Sequence, residues 1–378
     1  MRVESLSLQN FRNYERLTLS CPDFLNVFIG QNAQGKTNLL ETMIVLATGR
    51  SLRAARDAEM VRWGAEEAHV SADIARELGP VRIEMRLRAG VGKRVLVNGN
   101  PLRRLADLFG YLNVVSFTPD DLQLVKGSPS YRRQFLDYEI AQVSPAYRDH
   151  LVRYNRVLKQ RNSLLRAIAD GEASPAALEP WEPQLVEHGS RVIVKRAEMI
   201  ASLSPLASEI HRRITQGSER LTLEYRPFFL AEDEPVEEGL QDLDHIRLRF
   251  VEKLHRLRRA EIQRGTSLVG PQRDDVLFKV NGVDARIFGS QGQQRTTVLS
   301  CKLAEIRYME EQVGEPPVLL LDDVMSELDA SRRSFLVGEV QDRVQTFITS
   351  AYAGDLGESL LARARLFHIR QGQVYTPG

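Results

Sequence analysis

Residues 30–37 read GQNAQGKT, directly after the apolar run LNVFI and before TNLLETMIVLAT, whose apolar positions have helical spacing. The pattern G-x-x-x-x-G-K-[ST] is met at every required position, and a strand, then this loop, then a helix is the context it demands. The glycines let backbone N–H groups curl around phosphates, and the helix N-terminus adds positive potential. Lys36 then reaches the β and γ phosphates of a nucleotide, and Thr37 holds magnesium. An ordinary glycine turn with a surface lysine is the bland alternative, but motif and context agree against it.

A second feature completes the first. VLLLDDV is four apolar residues followed by Asp322 and Asp323, as expected of a buried parallel strand whose end delivers an acid to a metal beside the phosphates. Alone, such acids are as often the start of a loop. Paired with the glycine loop, Asp322 belongs to the magnesium shell, and Asp323 is set to orient or deprotonate an attacking water. SQGQQR, residues 290–295, opens a helix with a serine, a flexible glycine and amide donors; by itself it reads as a capped helix start.

The texture along the chain divides in three. Short strands run from Val3 to Leu25, with FRNYE as a polar break, and strands return from His69 to Leu112, where Asn98-Gly99 suits a two-residue hairpin turn. From YRRQFLDYE to about Ile214 the periodicity is helical, with charges on the outer face and a break at GEASP. Its stretch from Tyr147 to Ile168 carries Arg148, Arg153, Arg156, Lys159, Arg161 and Arg166 against the one acid Asp149, whereas EDEPVEEG further on is acidic. From Leu268 the strand pattern resumes, with a second hairpin at Asn281-Gly282, and TFITSA and RLFHI are further strand candidates. Two α/β blocks, 1–125 and 265–378, thus flank a helical block at 126–264.

Composition removes several classes. With 51 basic and 50 acidic residues and a net charge of +1, the chain is not basic all over, so contact with nucleic acid must come from local clusters. Its two cysteines, Cys21 and Cys301, lack metal-ligand spacing, which argues for a reducing compartment and against a disulfide framework or a zinc site. The amino terminus MRVESLSLQNFRNYE is polar where a secretion signal would be apolar, and runs such as VLLL fall far short of a membrane span. A soluble cytoplasmic protein is the expectation.

The order of glycine loop with lysine, serine-glycine-glutamine helix, strand-end acids and then SELD resembles that of ABC-type ATPase heads. Six stretches in order, GQNAQGKTNLLE, GRSLRAARDAEMVRWG, KGSPSYRRQFLD, GPQRDD, SQGQQR and LLLDDVMSELD, closely resemble the RecF family of bacterial recombination mediators, over essentially the whole chain. The interval between Lys36 and Ser290 has room for a helical insert but not for the long coiled coil of a full SMC protein. The resemblance implies an α/β fold, an ABC/SMC-type ATPase head of mixed sheets around the phosphate-binding core, split by a helical arm. It implies ATP and Mg2+ as cofactors, slow hydrolysis, and an ATP-dependent homodimer. It further implies DNA at single-strand gaps, RecR and RecO as partners, and help to RecA in replacing single-strand-binding protein.

By the same resemblance Gly30, Gln31, Asn32, Ala33, Gln34, Gly35, Lys36, Thr37 and Asn38 form the nucleotide loop, while Ser290, Gly292, Gln293 and Gln294 face the γ-phosphate held by a second subunit. Two departures from generic ABC heads bear on mechanism. Asp323 stands where most such heads use glutamate, one methylene longer, which suits slow turnover. FITSA offers Thr349 and Ser350 where many carry a switch histidine, and Gln123 is a candidate for the magnesium-sensing loop. Arg53, Arg56, Arg103 and Arg104 in the head, and Arg153 and Arg156 in the arm, are candidates for sequence-independent DNA contact with duplex and single-strand/duplex junctions. The competing expectations are the nucleotide-binding subunit of a transporter, disfavoured by the helical insert, and a small-metabolite kinase, in which SQGQQR and SELD have no role.

Overall fold

The computed structural model describes residues 1–21, 24–231, 234–235 and 239–376, so most of the acidic EDEPVEEG stretch lies outside the described residues. The chain begins with β1 (Arg2–Phe11), β2 (Tyr14–Ser20), β3 (Leu25–Ile29) and α1 (Lys36–Thr48). Next come β4 (Glu67–Ala75), β5 (Val81–Arg88), β6 (Gly92–Val97), β7 (Asn100–Pro101) and β8 (Val114–Phe117). Helices follow: α2 (Gln123–Lys126), α3 (Pro129–Val143), α4 (Pro145–Ala169) and α5 (Glu182–Ile214). After them run β9 (Leu221–Arg226), α6 (Leu243–Arg264), β10 (Asp275–Val280), β11 (Val283–Asp284) and α7 (Gln291–Val313). The last elements are β12 (Val318–Asp322), α8 (Ala330–Val340), β13 (Thr346–Ser350), α9 (Glu358–Leu361), β14 (Arg365–Arg370) and β15 (Gln373–Tyr375).

Two compact units result, one of residues 1–121 with 299–378 and the other of residues 122–298. In the first, β15-β14-β3-β13-β12-β8 form one sheet, parallel from β14 to β8, and β2-β1-β4-β5-β6-β7 form a second, antiparallel one. The composition of the strands accounts for the difference. In LNVFI and VLLLD nearly every residue is buried, as a strand covered on both faces requires, whereas β5 alternates, with Ile83, Met85 and Leu87 inward between polar neighbours. Helix α1 is buried almost all round, from Leu39 to Thr48. Its six large apolar residues Leu39, Leu40, Met43, Ile44, Val45 and Leu46 contribute on the order of 10 kcal/mol of transfer free energy, which fixes the start of the helix against the parallel sheet.

The second unit holds α2 to α6, and its helices up to Ile214 match the helical periodicity. It also contains a sheet, β11-β10-β9, that the periodicity of this region conceals, because β9 is one short strand of alternating burial between long helices. Pairing with β9 keeps β10, β11 and the first turns of α7 in this unit, so it runs to Val298, beyond the boundary near 265 read from sequence texture. Both Asn-Gly hairpins form, with positive φ at Asn98 and Gly99 (49° and 77°) and at Asn281 and Gly282 (52° and 81°), as the primed turn needs.

Arg161 departs from the exposed basic run expected of the arm. It is fully buried, paired with Glu261 at 2.7 Å and donating to Ser267 Oγ at 2.7 Å, so it braces α4 against α6 instead of facing solvent. Its partner lies a hundred residues further along the chain, where no local pattern reveals it. GPQRDD serves the same unit: Asp274 accepts from Arg196 Nη1 (3.0 Å), the Tyr225 hydroxyl and the Phe228 amide, and Asp275 accepts from Arg132 at 2.5 and 3.0 Å.

Candidate nucleotide site

The loop and the acids meet at one end of the parallel sheet. β3 feeds GQNAQGKT at its carboxyl end, β12 ends at Asp322, and β13 lies between them, with Thr349 paired to Asp322 on one side and to Phe28 on the other. Ligand sites in parallel α/β sheets form at this end of the strands. Thr37 Oγ1 donates to Asp322 Oδ1 at 3.0 Å, so the two residues assigned to magnesium are adjacent. A hydroxyl and a carboxylate, hard oxygens without nitrogen or sulfur, are the donor set that suits Mg2+.

Lys36 Nζ donates to the carbonyls of Gly30 (2.5 Å) and Gln31 (3.1 Å), with Asn32 Oδ1 at 3.5 Å. Burial lowers the pKa of its ammonium from the ordinary 10.5, and the charges of Asp323 and Asp322 oppose that shift. The lysine therefore lies within electrostatic reach of both acids. Gln31, Asn32 and Ala33 are exposed at the crest of the loop, Gly30, Gln34, Thr37 and Asn38 are half-buried, and Gly35 is buried. Gly35 has φ 115°, and a Cβ there would come within 2.5 Å of Asn13 Nδ2 and 3.0 Å of the Tyr14 hydroxyl, so no other residue fits.

Asn13 lies in the turn between β1 and β2 and Tyr14 opens β2, a stretch read in the sequence only as a polar break. Asn13 Nδ2 donates to Gln34 O at 2.9 Å, and its Oδ1 accepts from Asn38 Nδ2 at 2.9 Å. The Tyr14 hydroxyl, whose pKa burial pushes up, donates to Gly35 O at 3.0 Å. Gln34 in turn accepts from the Gln371 amide at 2.7 Å, through its side chain, and from the Gly372 amide at 3.1 Å. Arg12 grips Glu41 of α1 with two bonds of 2.8 and 2.6 Å. The adjacent polar residues of FRNYE are the only sequence signal for this shell, and nothing in their spacing points at the loop.

Asp323 has φ 57°, a left-handed conformation that costs a non-glycine residue about 1–2 kcal/mol. Thr349 holds it there: its hydroxyl donates to Asp322 Oδ1 at 2.7 Å and accepts from the Asp323 amide at 2.9 Å. Thr349 is thus fully buried and committed to the acids. Ser350 is also buried, donating to Tyr352 O at 2.9 Å.

Ser290, Gly292, Gln293 and Gln294 belong to the second unit, as does Gln123, which is exposed at the start of α2. Ser290 and Gln293 form a reciprocal capping box, the Gln293 amide donating to Ser290 Oγ at 3.2 Å and the Ser290 amide to Gln293 Oε1 at 2.9 Å. Gln294 is buried, its side chain donating to Ala285 O at 2.9 Å, so it ties α7 to the β10–β11 hairpin. Ser290 itself is exposed. Of the arginine candidates, Arg53, Arg56, Arg103, Arg104, Arg153 and Arg156 are all exposed. Arg56 is 3.4 Å from Glu59, Arg104 is 2.8 Å from Asp107 and Arg153 is 2.9 Å from Asp149, while Arg53 reaches Asn38 Oδ1 at 3.3 Å. No helix among the described residues is long and apolar enough to cross a membrane.

Comparison with known proteins agrees with this architecture. Residues 2–372 match the family model described as RecF/RecN/SMC N terminal domain. The chain is 47% identical to the DNA replication and repair protein RecF of Symbiobacterium thermophilum, with 99% of this chain and 98% of the relative covered, and 44% identical to that of Halalkalibacterium halodurans over 100% of both. A solved structure of the recombination mediator protein RecF-ATPrS in the RecFOR pathway superposes with a TM-score of 0.90 at 32% identity, covering 100% of this chain and 98% of that one. An SMC head bound to the C-winged helix domain of ScpA shares the fold, with a TM-score of 0.57 at 15% identity over 100% of this chain and 98% of that one.

Proposed function

Since the chain belongs to the RecF family and has the fold of an ABC/SMC-type ATPase, we propose that it is an ATP-switched DNA-binding protein of recombinational gap repair. The observation that carries the proposal is the adjacency of Thr37 and Asp322 at the carboxyl end of the parallel sheet, with Lys36 beside them. In this account the amides and Lys36 of the loop hold the triphosphate, and Thr37 and Asp322 hold Mg2+. Magnesium, when bound, neutralises charge on the β and γ oxygens. Asp323 accepts a proton from water as the water oxygen bonds to the γ-phosphorus. The bond to the β-phosphate oxygen breaks, giving ADP and inorganic phosphate.

ATP acts as the glue of a homodimer, with the exposed Ser290 end of α7 and Gly292 completing the site of a second copy; Gln293 and Gln294 support that end through the capping box and the hairpin bond. Dimerisation aligns the exposed arginines of two nearly neutral chains into one basic surface for gapped duplex, bound without regard to sequence. The solved relatives concern the RecFOR pathway, which supports RecR and RecO as partners, and RecA loading in place of single-strand-binding protein is the outcome proposed for that partnership. Slow, DNA-stimulated hydrolysis then serves as a release step in the cytoplasm.

The test is ATP-dependent binding to gapped duplex by wild type, Lys36→Ala and Asp322→Ala across a salt series. Wild type binds with ATP and loses affinity steeply as salt rises, and both variants bind weakly. Equal affinity with ADP and ATP, or a flat salt profile, contradicts the proposal. The transporter-subunit alternative predicts stimulation by a membrane complex and none by DNA.

A further inference from the structure

Among the large apolar side chains of the described residues, Trp63 is the most exposed, at 99%. Its backbone is not loose. Arg62 to Ala65 form a tight turn closed by the Ala65 amide on Arg62 O (3.0 Å), with Gly64 at φ 84° in the third position, where a type II turn needs a positive φ. The residues that open the turn are fastened to β1, by the Arg62 amide on Asn10 O at 2.8 Å and by the bridge from Val61 to Phe11. The indole stands clear of the sheet, and it gives up the stabilisation that burial of so large a ring supplies.

The segment leading to this turn is basic and tied to the nucleotide site. Arg53, Arg56 and Arg62 all lie within GRSLRAARDAEMVRWG, a stretch whose aromatic residue the nucleotide site does not use. Ser51 Oγ donates to Glu41 Oε1 at 2.5 Å, and Arg12 holds both that Glu41 and, at 2.7 Å, the Glu59 carbonyl. The strap from Ser51 to Trp63 thus hangs on the first helix after the phosphate loop. Beside the open indole face in the chain stands Arg62, 3.1 Å from Glu15, and Arg53 and Arg56 are exposed on the same strap, so an occupant that suits them all brings a flat aromatic face and negative charge together.

A nucleobase with its phosphate does both, and only an unpaired base has a free face, since bases inside a duplex are stacked on each side. Resting on the DNA-binding proposal above, we propose that Trp63 is a stacking platform for an unpaired base on the single-stranded side of a gap, with the neighbouring arginines holding the flanking phosphates. This assigns discrimination of gap from duplex to one side chain on the ATPase unit.

The chain has two tryptophans, Trp63 and Trp181, so Trp181→Phe leaves Trp63 as the only indole reporter. With ATP present, gapped DNA and oligo-dT quench its emission, while blunt duplex with ATP, or ATP alone, does not. In parallel, Trp63→Ala binds gapped DNA about tenfold more weakly with blunt-duplex affinity unchanged, and Trp63→Tyr recovers most of the loss. An unchanged melting temperature for both variants excludes misfolding as the cause. Equal affinity of Trp63→Ala and wild type for gapped DNA overturns the inference while leaving DNA binding itself intact. Quenching by ATP alone also overturns it, because a second copy of the chain then covers the ring. Failure of the wild type to bind any DNA overturns the proposed function, and this inference with it.

Discussion

Replacing Thr349 by valine removes one hydroxyl and keeps the shape of the side chain. That hydroxyl, on a side chain with no access to solvent, donates to Asp322 Oδ1 at 2.7 Å and accepts from the Asp323 amide at 2.9 Å. A hydrogen bond to a carboxylate contributes about 1.5–3 kcal/mol and a neutral one about 1 kcal/mol. The new methyl group regains at most about 0.8 kcal/mol, and Asp322 and the Asp323 amide keep their bonds to Thr37 and to Thr349 O. A net loss of about 2 kcal/mol follows. For a unit of this size it lowers the melting temperature by about 4–8 °C. The same clamp keeps Asp323 at its left-handed φ, so valine also slows single-turnover ATP hydrolysis about tenfold, the effect of roughly 1.4 kcal/mol at the barrier. Thr349→Ser retains both bonds and stays near wild type in both measurements. Wild-type melting and turnover in the valine variant refute the reasoning, and a lower melting temperature with unchanged turnover reduces Thr349 to a structural role.

Two further outcomes follow. Asp323→Asn lowers single-turnover hydrolysis at least about a hundredfold, whereas Asp323→Glu, one methylene longer, raises it; unchanged hydrolysis in the asparagine variant removes Asp323 from the role of base. His150 and His188 meet across α4 and α5 with their Nδ1 atoms 3.1 Å apart, and burial, with Arg191 and His188 acting on His150 and Arg153 and Arg191 on His188, lowers both pKa values below the ordinary 6.5, while Asp149 and Glu187 oppose the shift. The unfolded chain then takes up more protons than the folded one as pH falls below about 6.5, so this pair stabilises the arm above that value and the contribution fades below it. Melting between about pH 7.5 and 5.5 drops more in wild type than in His188→Asn, and equal drops contradict the assignment.

The half of the site that follows the chain's own order was legible in the sequence. GQNAQGKT and VLLLDD each carry their strand, their turn and their reactive group within a dozen residues, and apolar runs without alternation already announce strands buried on both faces. The hairpins at Asn98-Gly99 and Asn281-Gly282 were legible for the same reason, since the turn chemistry is local. What stayed hidden is non-local. Asn13 and Tyr14 reach the loop from a preceding hairpin through a turn whose side chains look merely polar, and Thr349 joins the two acids only because β13 lies beside β12 in the sheet. Arg161 looked like one more exposed charge until Glu261 came against it. Gln294 looked like a phosphate donor, yet the hairpin it packs beneath takes up its amide.

The central claim is that ATP joins two copies of this chain. Light scattering of the purified protein at fixed concentration, with ATP, with ADP and without nucleotide, measures it directly. The account predicts twice the monomer mass with ATP alone among the three, and the monomer mass for Lys36→Ala under every condition. A single mass that does not depend on nucleotide contradicts it.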